Sequence, residues 1–386
     1  MTTKLCFTGD IMCQMELTAA CRKDDGTLDY TPIFQRMKSC FKASALCVGN
    51  LETCFAGEDA GFSQRMYSFN TPDEFADILL DAGFGFVSTA NNHCLDRGTA
   101  GLYRTLDVLD RVGIGHTGTS RSKEEQAAPV IREVGGIRIG FISSTYGTNA
   151  FANLTFLPEE ENFAVNLSMP QETLPGSVHL LDPMEVIAEN TAKMPEPQEF
   201  AMLQKMIAAT RAAGAEYIII LMHSGGQYNP EPDAYTEKLV AALLEYGADM
   251  IVGNHPHIIQ KFAYRSGKPV FYCLGNVLST PSQSPMQCAN PHHVNSAVIK
   301  PVLSREDDGS VRMTGGSFSI MRSVTRPDGV SVVIPLYELI GEEKDPGQKE
   351  FLAEELRRSV RTFLDLSADA DADVPLQAEY GLSLKK

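Results

Sequence analysis

Five short apolar runs, each stopping at small and polar residues, constrain this chain more than any other feature. Leu5-Cys6-Phe7 ends in Gly9-Asp10, and Ala45-Leu46-Cys47-Val48 ends in Gly49-Asn50-Leu51-Glu52. Phe86–Thr89 ends in Ala90-Asn91-Asn92-His93, Tyr217–Met222 in His223-Ser224-Gly225-Gly226, and Met250–Val252 in Gly253-Asn254-His255-Pro256-His257. Runs this short suit buried strands better than helices. Segments with helical spacing lie between them: Pro32–Ala43, with Phe34, Met37 and Phe41 on one face, a stretch from Thr71-Pro72 to about Gly83, Gly98–Val112, a segment from Pro197 carrying Phe200, Leu203 and Ile207, and Pro232–Tyr246. This alternation predicts an α/β protein with largely parallel strands.

Other segments break the rhythm. Pro129–Val134, Gly135-Gly136 and Ile137–Ser143 read as a hairpin with a two-residue turn. Residues from about 147 to 195 lose periodicity and are rich in acids and prolines, as expected of a lid or insertion at one rim. After residue 260, five strand-like segments follow without helices between them, which predicts antiparallel pairing. A last amphipathic helix, about 347–364, is expected to turn Phe351, Leu352, Leu356, Val360 and Phe363 inward. The expected organisation is one domain over 1–366, a four-layer α-β-β-α sandwich of two mixed sheets, with an acidic, mobile tail at 367–386.

The strand exits are where an α/β fold gathers ligand groups. Here they carry carboxylates, amides and four of the eight histidines. Asp10, Glu52, Asn92, His223, His255 and His257 form a ligand set suited to Mn, Fe, Zn or Co without any thiolate. Six ligands exceed what one tetrahedral ion with an open position needs and fit two ions, roughly 3.5–4 Å apart and bridged by a carboxylate. His116 reads as a loop residue, and His179, His292 and His293 as surface or lid residues. The nine cysteines are odd in number and contain no CxxC pair, so they are expected to be reduced, mostly buried thiols. A formal net charge of −16 argues against a general nucleic-acid binder or a protein that docks on anionic lipid. No apolar window is long enough for a spanning helix and no signal-peptide core is present, so a chain complete at its start is expected to be cytoplasmic.

The Gly-Asp, Asn-His and His-x-His elements resemble the calcineurin-like metallophosphoesterase superfamily. The fuller set resembles one branch of it, the bacterial capsule-synthesis CapA family of poly-γ-glutamate production. That set is Gly9-Asp10-Ile11-Met12, Asn50-Leu51-Glu52, Asn91-Asn92-His93 with Asp96 and Gly98, and His116-Thr117-Gly118. It continues with His223 and Tyr228, Gly253-Asn254-His255-Pro256-His257 with Gln260, and Gly267-Lys268-Pro269-Val270 leading to Leu274-Gly275-Asn276. The resemblance implies that Asp10 and His257 serve a first metal and that Asn92, His223 and His255 serve a second. Glu52 stands where the superfamily has its bridging Asp. His93 matches the histidine that contacts the scissile phosphate and protonates the leaving oxygen, and Asp96 is placed to orient it.

Three positions depart from the pattern. Met12 stands where phosphoesterases have a histidine ligand, Ser224 where the CapA branch often has Trp, and Gln227 where it often has Glu. CapA proteins also usually carry a membrane anchor, which this sequence is not expected to contain. The resemblance implies a metal-dependent hydrolase acting on a phosphate ester or phosphoanhydride, with a small-molecule or polymer substrate linked to capsule or poly-γ-glutamate metabolism. The alternatives are a metal-dependent amidase on γ-glutamyl chains and a non-catalytic accessory protein of polymer synthesis, the latter favoured by Met12.

Overall fold

The computed structural model describes residues 1–64, 68–169, 171, 200–280, 285–366 and 374–382. Period-2 alternation along its strands decides the layering. In β1 (Thr2–Ile11), Leu5 and Phe7 face one core while Cys6 faces another. β1 continues in parallel to β2 (Leu46–Leu51), β3 (Phe86–Ser88) and β4 (Gly115–Thr117). A second sheet starts with the hairpin of β5 (Ile131–Val134) and β6 (Ile137–Thr145), joined by Gly135 and Gly136 at φ 57° and 77°, the left-handed conformation a two-residue hairpin turn requires. β7 (Tyr217–His223), β8 (Met250–Asn254), β9 (Phe262–Arg265) and β10 (Lys268–Phe271) complete it in the order β5-β6-β7-β8-β10-β9. The chain then returns to the first sheet with β11 (Asn276–Leu278), β12 (Asn295–Arg305), β13 (Val311–Thr325), β14 (Ser331–Pro335) and β15 (Tyr380–Gly381). That sheet has nine strands in the order β14-β13-β12-β1-β2-β3-β4, with β11 paired to β1 and β15 to β13.

The two sheets pack face to face through one apolar layer. Leu5, Phe7, Val48 and Phe86 of the first meet Ile139, Phe141, Ile219, Leu221 and Val252 of the second. Phe86 and Phe141 lie 4.7 Å apart between ring centroids. The opposite face of the first sheet buries helices Glu74–Ala82 and Gly98–Val112 through Phe75, Leu79, Leu102 and Leu106. The opposite face of the second buries Ala201–Ala212 and Ala234–Glu245 through Leu203, Ile207, Leu239 and Leu243. The architecture is thus the expected four-layer α-β-β-α sandwich of two mixed sheets.

Three local expectations differ from the structure. The helix expected over Pro32–Ala43 shrinks to Lys38–Phe41. The Ile33 carbonyl, which an α-helix would offer to Met37, instead accepts from Val333 N of β14 at 2.9 Å, and Met37 N bonds back to Phe34. Burial at 33, 34, 37 and 41 survives because Phe34 and Phe41 both sit edge-on against Phe84. Phe351, expected inward, is 49% exposed with the Arg322 guanidinium 5.8 Å over its ring. The inward stripe of helix Pro346–Phe363 begins one residue later, at Leu352, Leu356 and Val360. The tail expected to be mobile is packed over 374–382: Val374, Tyr380 and Leu382 are buried, and β15 pairs with β13 at Phe318. Residues 367–373 lie outside the described residues. Of the expected insertion, residues 147–169 form a short helix (Ala150–Asn153), a 3-10 helix (Glu159–Ala164) and bridges from Val165 to Thr119 and from Leu167 to Thr145. Residues 172–199, including His179, are outside the described residues.

Two glycines permit the backbone approaches on which the strand exits depend. A Cβ on Gly9 would stand 1.7 Å from the Gly275 carbonyl oxygen, and one on Gly253 2.0 Å from that of Tyr272. Neither obstacle is a flexible side-chain end that could swing away. The Gly9→Ala variant is therefore expected to lose about 3 kcal/mol, the upper part of the range for overpacking. Gly341→Ala, in the open on helix Leu336–Glu342, should gain about 0.5–1 kcal/mol. Chemical denaturation of both variants checks the contrast, and equal midpoints would contradict it.

Candidate metal centre

Each candidate side chain reaches the centre from the end of a strand. Asp10 lies in β1, with Asn50 and Ser88 opposite it on β2 and β3. Asn50 Nδ2 donates to Asp10 Oδ1 at 2.7 Å and Ser88 Oγ donates to Asn50 Oδ1 at 2.7 Å, so one polar rung crosses three strands and fixes the Asp10 carboxylate. Glu52 follows β2, and His223 ends β7. His255 and His257 follow β8 at φ 103° and 60°. These left-handed residues on either side of Pro256 turn both rings toward one place, which extended chain would not do.

The described residues hold two groups of potential ligands whose atoms lie within 4.8 Å of one another: Glu52 with His223 and His255, and Asp10 with Glu52 and His257. Glu52 belongs to both. His223 Nε2 lies 2.9 Å from Asn92 Oδ1, 3.2 Å from His255 Nδ1 and 3.7 Å from Glu52 Oε1. His257 Nδ1 lies 3.2 Å from Asp10 Oδ2, and its Nε2 is 3.9 Å from Glu52 Oε1. All six side chains are buried.

The electrostatics of this cluster fit a cation. Neither Glu52 oxygen accepts a hydrogen bond from any described residue, and His255 Nε2 also has no such partner. Burial pushes the Glu52 carboxyl well above its usual range, and the Asp10 charge pushes it further. Burial likewise drives His223 and His255 well below the ordinary histidine range, with the neighbouring imidazoles adding to the effect, so both rings are neutral, the form that ligates a metal. A buried carboxylate without donors is costly unless a cation compensates it. The donor set, oxygen and imidazole nitrogen only, suits a divalent first-row ion. Met12 is buried beside Asp10 in sequence and supplies no such donor.

His93 and Asp96 form a separate pair at the edge of the cluster. His93 Nδ1 is 2.7 Å from Asp96 Oδ2, which also accepts from the Phe69 backbone N–H at 2.6 Å. The Phe69 ring covers the imidazole at 4.2 Å between centroids. His93 N donates to Asn91 Oδ1, and Asn91 Nδ2 to the Leu51 carbonyl, so the strand exits of β2 and β3 are tied together beneath the pair.

Several neighbours were given no role from sequence, although Tyr228 and Asn276 stand in the motif set. Asn276 Oδ1 accepts from His257 Nδ1 at 2.9 Å, although its place in Leu274-Gly275-Asn276 carried a signal. Tyr146 and Tyr228 lie against His255 and His257, at 4.6 and 5.8 Å between ring centroids. Asn149 and Asn153 reach His93 and Asp96 from a stretch with no periodicity to announce them. Of the other histidines, His116 is in β4 and pairs with Asp110 at 3.0 Å. His292 contacts Glu355. His293, expected at the surface, is instead buried, with Nδ1 on the Asn290 carbonyl. Cys6, Cys13, Cys21, Cys40, Cys47, Cys54, Cys94 and Cys273 are free thiols, and of the nine cysteines only Cys288 is exposed. Among the described residues no helix is long and apolar enough to cross a membrane.

Comparison with known proteins places the chain in a family. The family model described as bacterial capsule synthesis protein PGA_cap matches residues 4–281. The capsule biosynthesis protein CapA of Bacillus anthracis is 26% identical over 248 residues, 63% of this chain and 53% of that protein. The PGA biosynthesis protein CapA of Bacillus subtilis (strain 168) is 26% identical over 250 residues, 63% and 56%. The chain thus matches a little over half the length of these curated relatives. Among solved structures, a hypothetical protein from Thermus thermophilus aligns with a TM-score of 0.38 at 14% identity, covering 86% of this chain and 97% of that one. The 5'-nucleotidase from Candida albicans SC5314 aligns with a TM-score of 0.38 at 11% identity, covering 92% and 57%. With the family model spanning β1 through β11 and every strand exit described above, the chain belongs to the bacterial capsule synthesis protein PGA_cap family.

Proposed function

We propose that this protein is a metal-dependent hydrolase of phosphate esters or phosphoanhydrides. The observation that carries this reading is Glu52: one buried carboxylate, without a hydrogen-bond donor of its own, shared by two groups of potential ligands beside a paired histidine and aspartate. Glu52, Asn92, His223 and His255 would hold one divalent ion, and Asp10, Glu52 and His257 a second. Ions there would supply Lewis-acid activation of water and neutralise charge developing on phosphoryl oxygens.

The remaining work falls to the chain. Asp96 accepts the Nδ1 proton of His93 and holds the ring in place. His93 can then take up a proton at Nε2 and pass it to a departing oxygen. Phe69 covers one face of that ring and excludes water from it. The relatives' names, capsule and PGA biosynthesis, favour a polymer or its precursor as substrate and make amide hydrolysis of γ-glutamyl chains the variant to test alongside phosphate esters. Met12, which leaves Asp10, Glu52 and His257 without a further ligand, favours a second reading in which the protein is a non-catalytic accessory of polymer synthesis with one ion or none.

Two outcomes follow for purified protein. Adding Mn2+ at about 100 times its dissociation constant should raise stability by about 2.7 kcal/mol, read as a rise in Tm, and His255→Ala should abolish most of that rise. A wild-type Tm insensitive to Mn2+, Zn2+, Co2+ and Fe2+ would exclude the metal centre.

Catalysis is separated from metal binding by a second pair of variants. On whichever phosphate ester or γ-glutamyl peptide the wild type turns over, His93→Ala should keep its metal content and lose roughly 10²–10⁴-fold in kcat. Glu52→Ala should lose metal and activity together. Equal metal loss in both variants would refute the role given to His93, and unchanged turnover in both would favour the non-catalytic reading.

A further inference from the structure

The segment after β6 carries two asparagines that the hydrolase reading does not use. Asn149 stands at φ 52°, immediately before the short helix Ala150–Asn153, and Leu154 immediately after it also stands at φ 52°. Left-handed conformation is unusual for a residue other than glycine, and Leu154 gains nothing visible from it, being 72% exposed. Asparagine adopts this conformation readily, so the strain lies at Leu154, at the end of a turn that presents particular side chains. The side chains presented are Asn149 and Asn153. Asn153 Nδ2 donates to Asp96 Oδ1 at 2.7 Å, the oxygen that His93 leaves free. Asn149 Nδ2 lies 3.3 Å from His93 Nε2, and Asn149 Oδ1 accepts from Asn92 Nδ2 at 3.2 Å.

These contacts form one directed chain. Asn92 Oδ1 faces His223 Nε2 at 2.9 Å, and Asn92 Nδ2 donates to Asn149 Oδ1. With its oxygen taken by Asn92, the Asn149 amide turns Nδ2 toward His93 Nε2. An amide nitrogen donates and does not accept, so His93 Nε2 is the bare nitrogen and Nδ1 carries the proton given to Asp96.

We infer that Asn149 and Asn153 are positioning residues for the proposed reaction. Asn149 selects the His93 tautomer with a bare Nε2 and at the same time aims the Asn92 carbonyl oxygen at the His223–His255 cluster, while Asn153 fixes the Asp96 carboxylate. The inference rests on the hydrolase reading for its catalytic consequence but not for its structural one. Asn149 thus couples the metal centre to the histidine pair through a single side chain, and a segment outside the sheets completes the site.

The test uses the full-length protein with isotope-labelled histidine, the His93 signals being assigned by their loss in His93→Ala. Asn149→Gly keeps the left-handed backbone and removes the amide. Asn149→Asp keeps the shape and replaces the donor with an acceptor. In the wild type His93 should show a protonated Nδ1 and a bare Nε2 by nitrogen chemical shift. Asn149→Gly should lose that preference, and Asn149→Asp should move a proton to Nε2. With para-nitrophenyl phosphate and Mn2+ as the probe, both variants and Asn153→Ala should lose about 10–100-fold in kcat, the usual cost of removing a group that orients a catalytic or ligating side chain. KM should stay within about twofold, since no substrate contact is removed. His93 signals unchanged from wild type in both Asn149 variants would overturn the inference, as would undiminished kcat in an active protein. If the His93 signals shift as expected while the wild type turns over neither phosphate ester nor γ-glutamyl peptide, Asn149 positions His93 and it is the hydrolase reading that fails.

Discussion

A buried carboxylate without a hydrogen-bond donor is the feature to which the rest of this molecule is fitted. Glu52 is fully buried and belongs to both ligand groups, and its oxygens accept nothing from the described residues. An ionised carboxylate in such a place is costly by several kcal/mol unless a positive charge stands beside it. The surroundings offer neutral imidazoles and amide oxygens, with the Asp10 carboxylate nearby. That combination suits a divalent cation.

Holding such a centre open requires a stiff frame. Two sheets supply it by packing through one apolar layer, with helices sealing the outer faces. The sheets contribute from opposite sides: β1 and β2 bring Asp10 and Glu52, β7 and β8 bring His223, His255 and His257. Neither sheet alone carries a complete ligand group. Sheet-to-sheet packing through pairs such as Phe86 and Phe141 therefore sets the distance between carboxylates and imidazoles. Gly9 and Gly253 act at the same level, since each lets a neighbouring carbonyl come closer to the strand than any side chain would allow.

Amides then do the orienting. Asn50 fixes Asp10, Asn276 fixes His257, Asn91 ties His93 to β2, and Asn149 spans Asn92 and His93. An amide carries a donor and an acceptor with no net charge, so it can align a carboxylate or an imidazole without adding charge to the centre. Many asparagines accordingly surround a cluster whose candidate ligands are mainly charged or titratable. It also explains how one segment after β6 can act on two chemically different parts of the site.

The sequence by itself determined the fold class and the polar strand exits. Strand and helix periods are local, and the apolar runs ending at Asp10, Glu52, Asn92, His223 and His255 are legible because a strand buried on both faces cannot carry such residues before its end. Local spacing also misled where tertiary contacts compete for the same backbone. Val333 takes the Ile33 carbonyl and unmakes a helix, Phe351 falls beside the buried stripe, and residues 374–382 find a partner in β13. Only the tertiary structure decided which strand exits meet, because that depends on the order of strands and on two sheets facing each other. It alone revealed Asn149 and Asn153, whose stretch has no period to read, and whose significance comes from reaching across more than fifty residues of chain to His93 and Asp96. Proximity of that kind is a property of the folded chain, since no local propensity encodes it.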